Sequence, residues 1–475
     1  MSAIITEKFR QHNANQFHES FTETAGNAYY LFLGKATAFT SGTTSGSDSS
    51  PPTPQDGEQD ETRAWDSMLA AKKIPSTDIT FAIPRRNWVN GTTYDMYEHD
   101  VSSSNTSTSS ASNLYDSTFY FVTSAFRVYK VLDNNGGTAY SGAEPTSTST
   151  SPFELGGYVL KFMYDISTTD IGKYVTTDFV PVATDSTVSA AATDGSIESL
   201  RITAGSSYTD GTYYAAVYGD GTSQGTSDGA IVRITVSGGA IASFGLTAGT
   251  DTTIHAAGVG YTFGYVNLGA GYTFSDSGLS SASNMGGTGG AVEVIISPEG
   301  GHGKNAVTEL GGHFIMTATT ISQAENDDFS TANDFRTVGI VIDPTNYGTT
   351  TVATATTARQ TNVVKFSSSS GTFEADEVIT QATTGAVGKV VEWDSVLSLL
   401  YYQQESFKGF GTNSTTGGLV AFSGTNTITG GTSGATGTPS STSSETVTLA
   451  NSNTLTLTSG YANPELQPDL SLIHI

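Results

Sequence analysis

The chain contains no cysteine, which excludes disulfide staples, thiolate metal sites and thiol nucleophiles. Basic residues are scarce: 20 Lys and Arg face 45 Asp and Glu, leaving a formal net charge of −25 on 475 residues. That charge repels phosphate backbones and anionic headgroups, so the expectation is no nucleic acid and no membrane among the partners. No window approaches the ~20 apolar residues of a membrane-spanning helix, and Met-Ser-Ala-Ile-Ile-Thr-Glu-Lys-Phe-Arg at the start lacks the apolar centre of a secretory signal. The expectation is synthesis in a cytoplasm, where the Asn-x-Ser/Thr sites at Asn90, Asn105 and Asn413 carry no weight. The seven histidines form no His-x-x-x-His or Glu-flanked zinc pattern, and the phosphate-cradling Gly-x-x-x-x-Gly-Lys-Ser/Thr is missing.

What the chain does have is Ser, Thr, Gly and short β-branched or aromatic runs. The one helical periodicity is near the start, where Ile5, Phe9, Phe17 and Phe21 recur among polar residues. Tyr29 to Gly34 reads as a buried strand, Ser41 to Asp60 as a long polar loop, and Trp65 to Ala71 as a short helix before a strand at Ile79 to Ile83. Phe126-Arg-Val-Tyr-Lys-Val-Leu alternates like a strand with one wet face, closed by the Asn134-Asn-Gly-Gly turn. Near residue 185 charge falls and Gly rises; longer apolar strands return at 291–298 and 335–344. The expected fold is mainly β: a multidomain, β-sandwich-like core with a few short helices and inserted small Gly/Ser/Thr-rich β domains. The expected division is a core over 1–185, an insert over 186–290, a return to the core over 291–345, a second inserted module over 346–461 and a tail over 462–475.

Few residues suggest chemistry. Pro298-Glu-Gly-Gly-His-Gly-Lys gathers Glu299, His302 and Lys304 on one turn, but a β-turn accounts for its glycines without catalysis. Asp327 and Asp328 need a second carboxylate at a set distance to act as a glycosidase pair. Asp56 and Asp220 resemble fragments of calcium loops without the alternating oxygen ligands. No catalytic, cofactor-binding or metal-binding residue is therefore predicted. Arg85, Arg86 and Trp88, in Phe-Ala-Ile-Pro-Arg-Arg-Asn-Trp-Val-Asn-Gly (81–91), stand out as interface or fold anchors. Pro84 makes the approach rigid, and forked donors beside a large aromatic suit a fixed protein contact, with a carboxylate partner and a core-filling indole as the plainer alternative.

These residues also carry a resemblance. Ile-Pro-Arg-Arg-Asn-Trp, downstream of Ile5-Thr-Glu-Lys-Phe-Arg and an aromatic strand ending in Leu33-Gly, resembles the baseplate wedge subunit of T-even-like contractile-tailed bacteriophages. Phe126-Arg-Val-Tyr-Lys-Val-Leu, Gly157-Tyr-Val-Leu-Lys-Phe-Met-Tyr and Asp334-Phe-Arg-Thr-Val-Gly-Ile-Val-Ile-Asp-Pro follow in the same order. The resemblance covers about residues 1–185 and 291–345. It implies a non-enzymatic structural protein of the virion tail baseplate without a cofactor, paired as a homodimer within each wedge and contacting other baseplate wedge proteins. The chain departs from the family pattern after Pro468-Asp. Two other readings are a receptor-binding or fibre-like tail protein, with Tyr213, Tyr214 and Tyr218 as aromatic candidates on the insert, and a tail-associated polysaccharide hydrolase using paired acids.

Overall fold

The computed structural model describes residues 6–23, 26–39, 46–53, 57–222, 228–321, 330–354, 359–405, 418–450, 452–464 and 466–467. The fold is mainly β with short helices, as the composition predicts. It comprises two compact units, Met1–His18 with Ile79–Ala318, and Glu19–Asp78 with Thr319–Ile475. The cut therefore falls within the 291–345 segment, and 186–290 belongs to the same unit as the residues before it. Strand pairing gives the reason: Phe314–Thr317 joins Ile79–Pro84, whereas Thr337–Ile342 joins Tyr29–Gly34.

In the first unit a four-stranded antiparallel sheet runs in the order Tyr120–Val122, Arg127–Asp133, Tyr158–Asp165, Phe153–Leu155. Its core is aromatic, with Tyr94, Phe119, Phe121, Tyr129, Tyr140 and Tyr158 buried together. Rings that bury 150–250 Å² each supply much of the apolar burial here. Leu132 and Val159 contribute instead to a second core, formed with the Gly211–Gly219 and Ile231–Ser237 strands and the Ser199–Thr203/Ala291–Ile295 ladder. The Arg127–Asp133 strand is thus buried on both faces. The wet face expected for it does not exist, and Lys130 has no exposed surface.

In the second unit six strands close on themselves: Leu399–Gln403, Val387–Asp394, Val378–Gln381, Ile428–Gly430, Thr436–Pro439 and Asn362–Ser370, the last pairing back to Leu399–Gln403. Closure leaves no free edges in this ring. Val364, Phe366, Ile379, Leu400 and Tyr402 fill the interior. The alternate residues Val363, Leu399 and Tyr401 face outward beneath the Glu445–Thr448/Thr454–Leu457 hairpin. Gly437 is required where it stands, because a Cβ there would lie 2.5 Å from the Phe366 ring. Beside the barrel lies a three-stranded sheet, Thr337–Ile342, Tyr29–Gly34, Met68–Lys73. The helix expected over 65–71 is corrected: helix Glu58–Asp66 takes only Trp65 and Asp66 of that range, and Met68–Lys73 is a strand. Pairing with Tyr29–Gly34 and burial of Met68 and Leu69 override the helix preference of the alanines.

Candidate functional site

The proline-led strand delivers Arg85, Arg86 and Trp88 as half-buried braces. Arg85 donates from Nε to Asn87 Oδ1 and from Nη1 to Thr176 O, both at 2.8 Å, with its guanidinium 5.9 Å from the Phe126 ring centre. Arg86 lies 4.5 Å from the Tyr120 ring centre and donates from Nη2 to Tyr115 O at 2.7 Å. Trp88 meets Tyr140 edge-on at 5.9 Å and packs against the main aromatic core. The carboxylate partner expected for an arginine is replaced by backbone carbonyls, which tie the segment to the 115 and 176 loops. Arg86 Nη1 and Trp88 Nε1 are buried without hydrogen-bond partners.

The 298–304 turn does not assemble the acid/base trio. Glu299 and Lys304 are exposed while His302 is fully buried. Left-handed φ values of +94° at Gly301 and +90° at Gly303 account for the glycines. His302 belongs instead to a buried polar centre that sequence reading missed. Lys130 Nζ sits 2.9 Å from Glu309 Oε2, 2.8 Å from His302 Nδ1 and 3.9 Å from the Tyr97 ring centre. Gly303 and Asn305 donate backbone N–H groups to the other end of the same carboxylate. Since Lys130 donates to Nδ1, the imidazole proton resides on Nε2, which is buried and unpartnered. Burial lowers the Lys130 and His302 pKa values, His302 well below its ordinary range. Directly across the strand pair lies Lys161, also buried, with Glu198 3.7 Å away. Two lysines stand opposite each other because two glutamates oppose them.

A cleft of about 480 Å³ opens in the first unit between the 96–108 segment, the Asp133–Gly136 turn and the 201–204 and 241–244 segments. Glu98 on its wall is buried and bonded to Arg201 at 3.0 Å; Arg201 also reaches Glu293 at 2.6 Å. Asp133 accepts the Asn135 backbone N–H at 2.8 Å. Asn135 takes a φ of +53°, a left-handed value asparagine tolerates, which closes the expected turn. Burial pushes the Asp133 carboxyl up to about 6 from 3.8, with the charge of Glu154 adding to the effect. The folded value is the higher, so this group's contribution to stability is complete below about pH 4 and is lost as pH rises through about 6. Asp133→Asn, which retains the acceptor for Asn135, should raise stability at pH 7 to 8 by roughly 2–3 kcal/mol and give no gain near pH 4. Urea titrations at the two pH values check this, and an equal gain at both contradicts it.

The second unit carries an outward apolar strand. In Thr337–Ile342 inward and outward residues alternate, and Val338, Ile340 and Ile342 are 59%, 40% and 48% exposed. On the inward side the Phe32 ring occupies the space a side chain at Gly339 would take. Arg336 pins the start of the strand through Asp48, Asp334 and Ala36 O, and Asp343 anchors its end on the Ala28 N–H. Among the described residues the strand pairs on one edge only. Among the described residues fourteen large apolar side chains are exposed, and six of them fall between 335 and 352, a concentration rather than scattered exposure.

On the insert Tyr213 is buried, while Tyr214 and Tyr218 are half-buried on the opposite face of their strand. Tyr218 stacks on Tyr265 at 5.5 Å, and Tyr265 is 56% exposed. Asp220 does not shape a calcium loop; it caps the Thr262 and Phe263 N–H groups. Asp56, Asp327 and Asp328 lie outside the described residues. Among the described residues no three His, Asp or Glu side chains converge as a metal site, and no helix is long and apolar enough to cross a membrane.

These features define a β-rich protein with arginines tied to backbone carbonyls and an open apolar strand. Residues 3–146, just under a third of the chain, match the family described as bacteriophage T4 Gp8. A search of curated proteins finds no match.

Proposed function

We propose that this chain is a structural, non-enzymatic component of a bacteriophage contractile-tail baseplate wedge. It is made in the host cytoplasm, incorporated as a homodimer in each wedge, and holds neighbouring wedge proteins together. The match of residues 3–146 to the Gp8 family carries this reading. Arg85, Arg86 and Trp88 fall within the matched stretch and act as fold anchors, each arginine giving one hydrogen bond to a backbone carbonyl and the Trp88 ring packing against the core. The contact to a neighbouring chain is assigned to the Thr337–Ile342 face, whose aliphatic side chains gain by leaving water at ~25 cal/mol per Å². In this reading residues 1–185 and 291–345 form the wedge scaffold, while 186–290 and 346–461 are elaborations carried on it. Locating the chain in intact tail particles is the test.

A further inference from the structure

We propose that the cleft between the Asp133–Gly136 turn and the 201–204 and 241–244 segments is a binding site for a neutral saccharide of one or two rings, a role beyond that of a wedge scaffold. Its volume of about 480 Å³ lies within the range of small-ligand sites. The chemistry of the lining selects the ligand. Glu98 and Asp133 present carboxylate acceptors on the wall, both more than nine-tenths buried. Asp133 accepts one protein hydrogen bond, from Asn135. Asn105 brings a donor: its Nδ2 is buried and has no partner. Ile202, Ile241 and Phe244 add an apolar surface.

Each other ligand class fails on one of these groups. An anion meets two carboxylates on a chain of net charge −25. A bare metal ion finds too few free oxygens, since Glu98 is engaged by Arg201. An ammonium ion meets the Arg201 guanidinium in the same cleft. What remains is an uncharged molecule with many hydroxyl donors, some acceptors and a C–H face, which is the chemistry of a sugar ring.

The test uses the full chain and saturation-transfer NMR with glucose, galactose, N-acetylglucosamine and their disaccharides, followed by calorimetry on any that respond. At least one sugar is expected to bind. Asp133→Asn and Asn105→Ala should each weaken it tenfold or more, because a charge-assisted bond or a buried donor is lost. Asp133→Asn retains the turn contact, so loss of binding in a variant with an unchanged or higher melting temperature is a site effect. Tyr265→Ala, on the separate aromatic strip, should leave the affinity unchanged. The proposal is overturned if no sugar in the panel binds, if binding survives Asp133→Asn, if it is lost instead with Tyr265→Ala, or if putrescine binds the cleft in place of the sugars.

Discussion

Replacing Lys130 by Met is expected to destabilise the first unit by about 3–5 kcal/mol, the scale found when one partner of a buried ion pair is removed. Lys130 is fully buried, and its ammonium is shared between Glu309, His302 and the face of Tyr97. Without it the Glu309 carboxylate retains the Gly303 and Asn305 N–H groups but loses its cation in a site water does not reach. His302 also loses the donor on Nδ1. Lys161, directly opposite, is relieved of a like charge, which reduces the cost without cancelling it. The double variant Lys130→Met/Glu309→Gln should recover most of the loss, because Gln retains an acceptor for the two N–H groups and carries no charge. Urea denaturation of the single and double variants checks both statements. A loss below about 1 kcal/mol for Lys130→Met, within the range of an exposed pair, would contradict the role given to the buried centre.

Val338→Glu with Ile340→Glu is expected to leave the fold nearly intact and to abolish docking of the neighbouring chain. Both side chains point outward and contribute little to the core, so the unfolding free energy should change by no more than about 1 kcal/mol, chiefly through strand propensity. In a docked state the same two carboxylates would be buried unpaired, at several kcal/mol each. Incorporation of labelled chain into assembling tails should therefore fall at least a hundredfold, with an unchanged circular dichroism melt. Normal incorporation of the double variant would remove Thr337–Ile342 from the interface. A collapsed melt would mean that the strand face belongs to the core.

The mainly β character, the helix that the structure forms at Glu7–Ser20 and the Asn134-Asn-Gly-Gly turn were legible from local patterns, because each depends on neighbours in sequence. The left-handed Asn135 is of that kind. The exposed face of Thr337–Ile342 is not: its run of apolar residues reads as a core strand, and only the pairing partners show that every second side chain faces out. The buried centre was not legible. Lys130, Glu309, His302 and Lys161 are distant in sequence, and a lysine within an alternating strand reads as a wet face unless the second core behind it is known. Barrel closure was hidden for a related reason: the pairing of Asn362–Ser370 with Leu399–Gln403 joins strands separated by two others, and no local signal sets it. The arginine pair at 85 and 86 was visible as unusual, but its partners are main-chain carbonyls, which leave no trace in composition.

The most direct measurement is an image reconstruction of the intact tail particle in which this chain is traced. The chain is expected at the baseplate, in copies that are a multiple of six, with the Val338, Ile340 and Ile342 side chains covered by a neighbouring chain. Absence from the particle, or placement only at the distal tips of fibres, would contradict the wedge assignment.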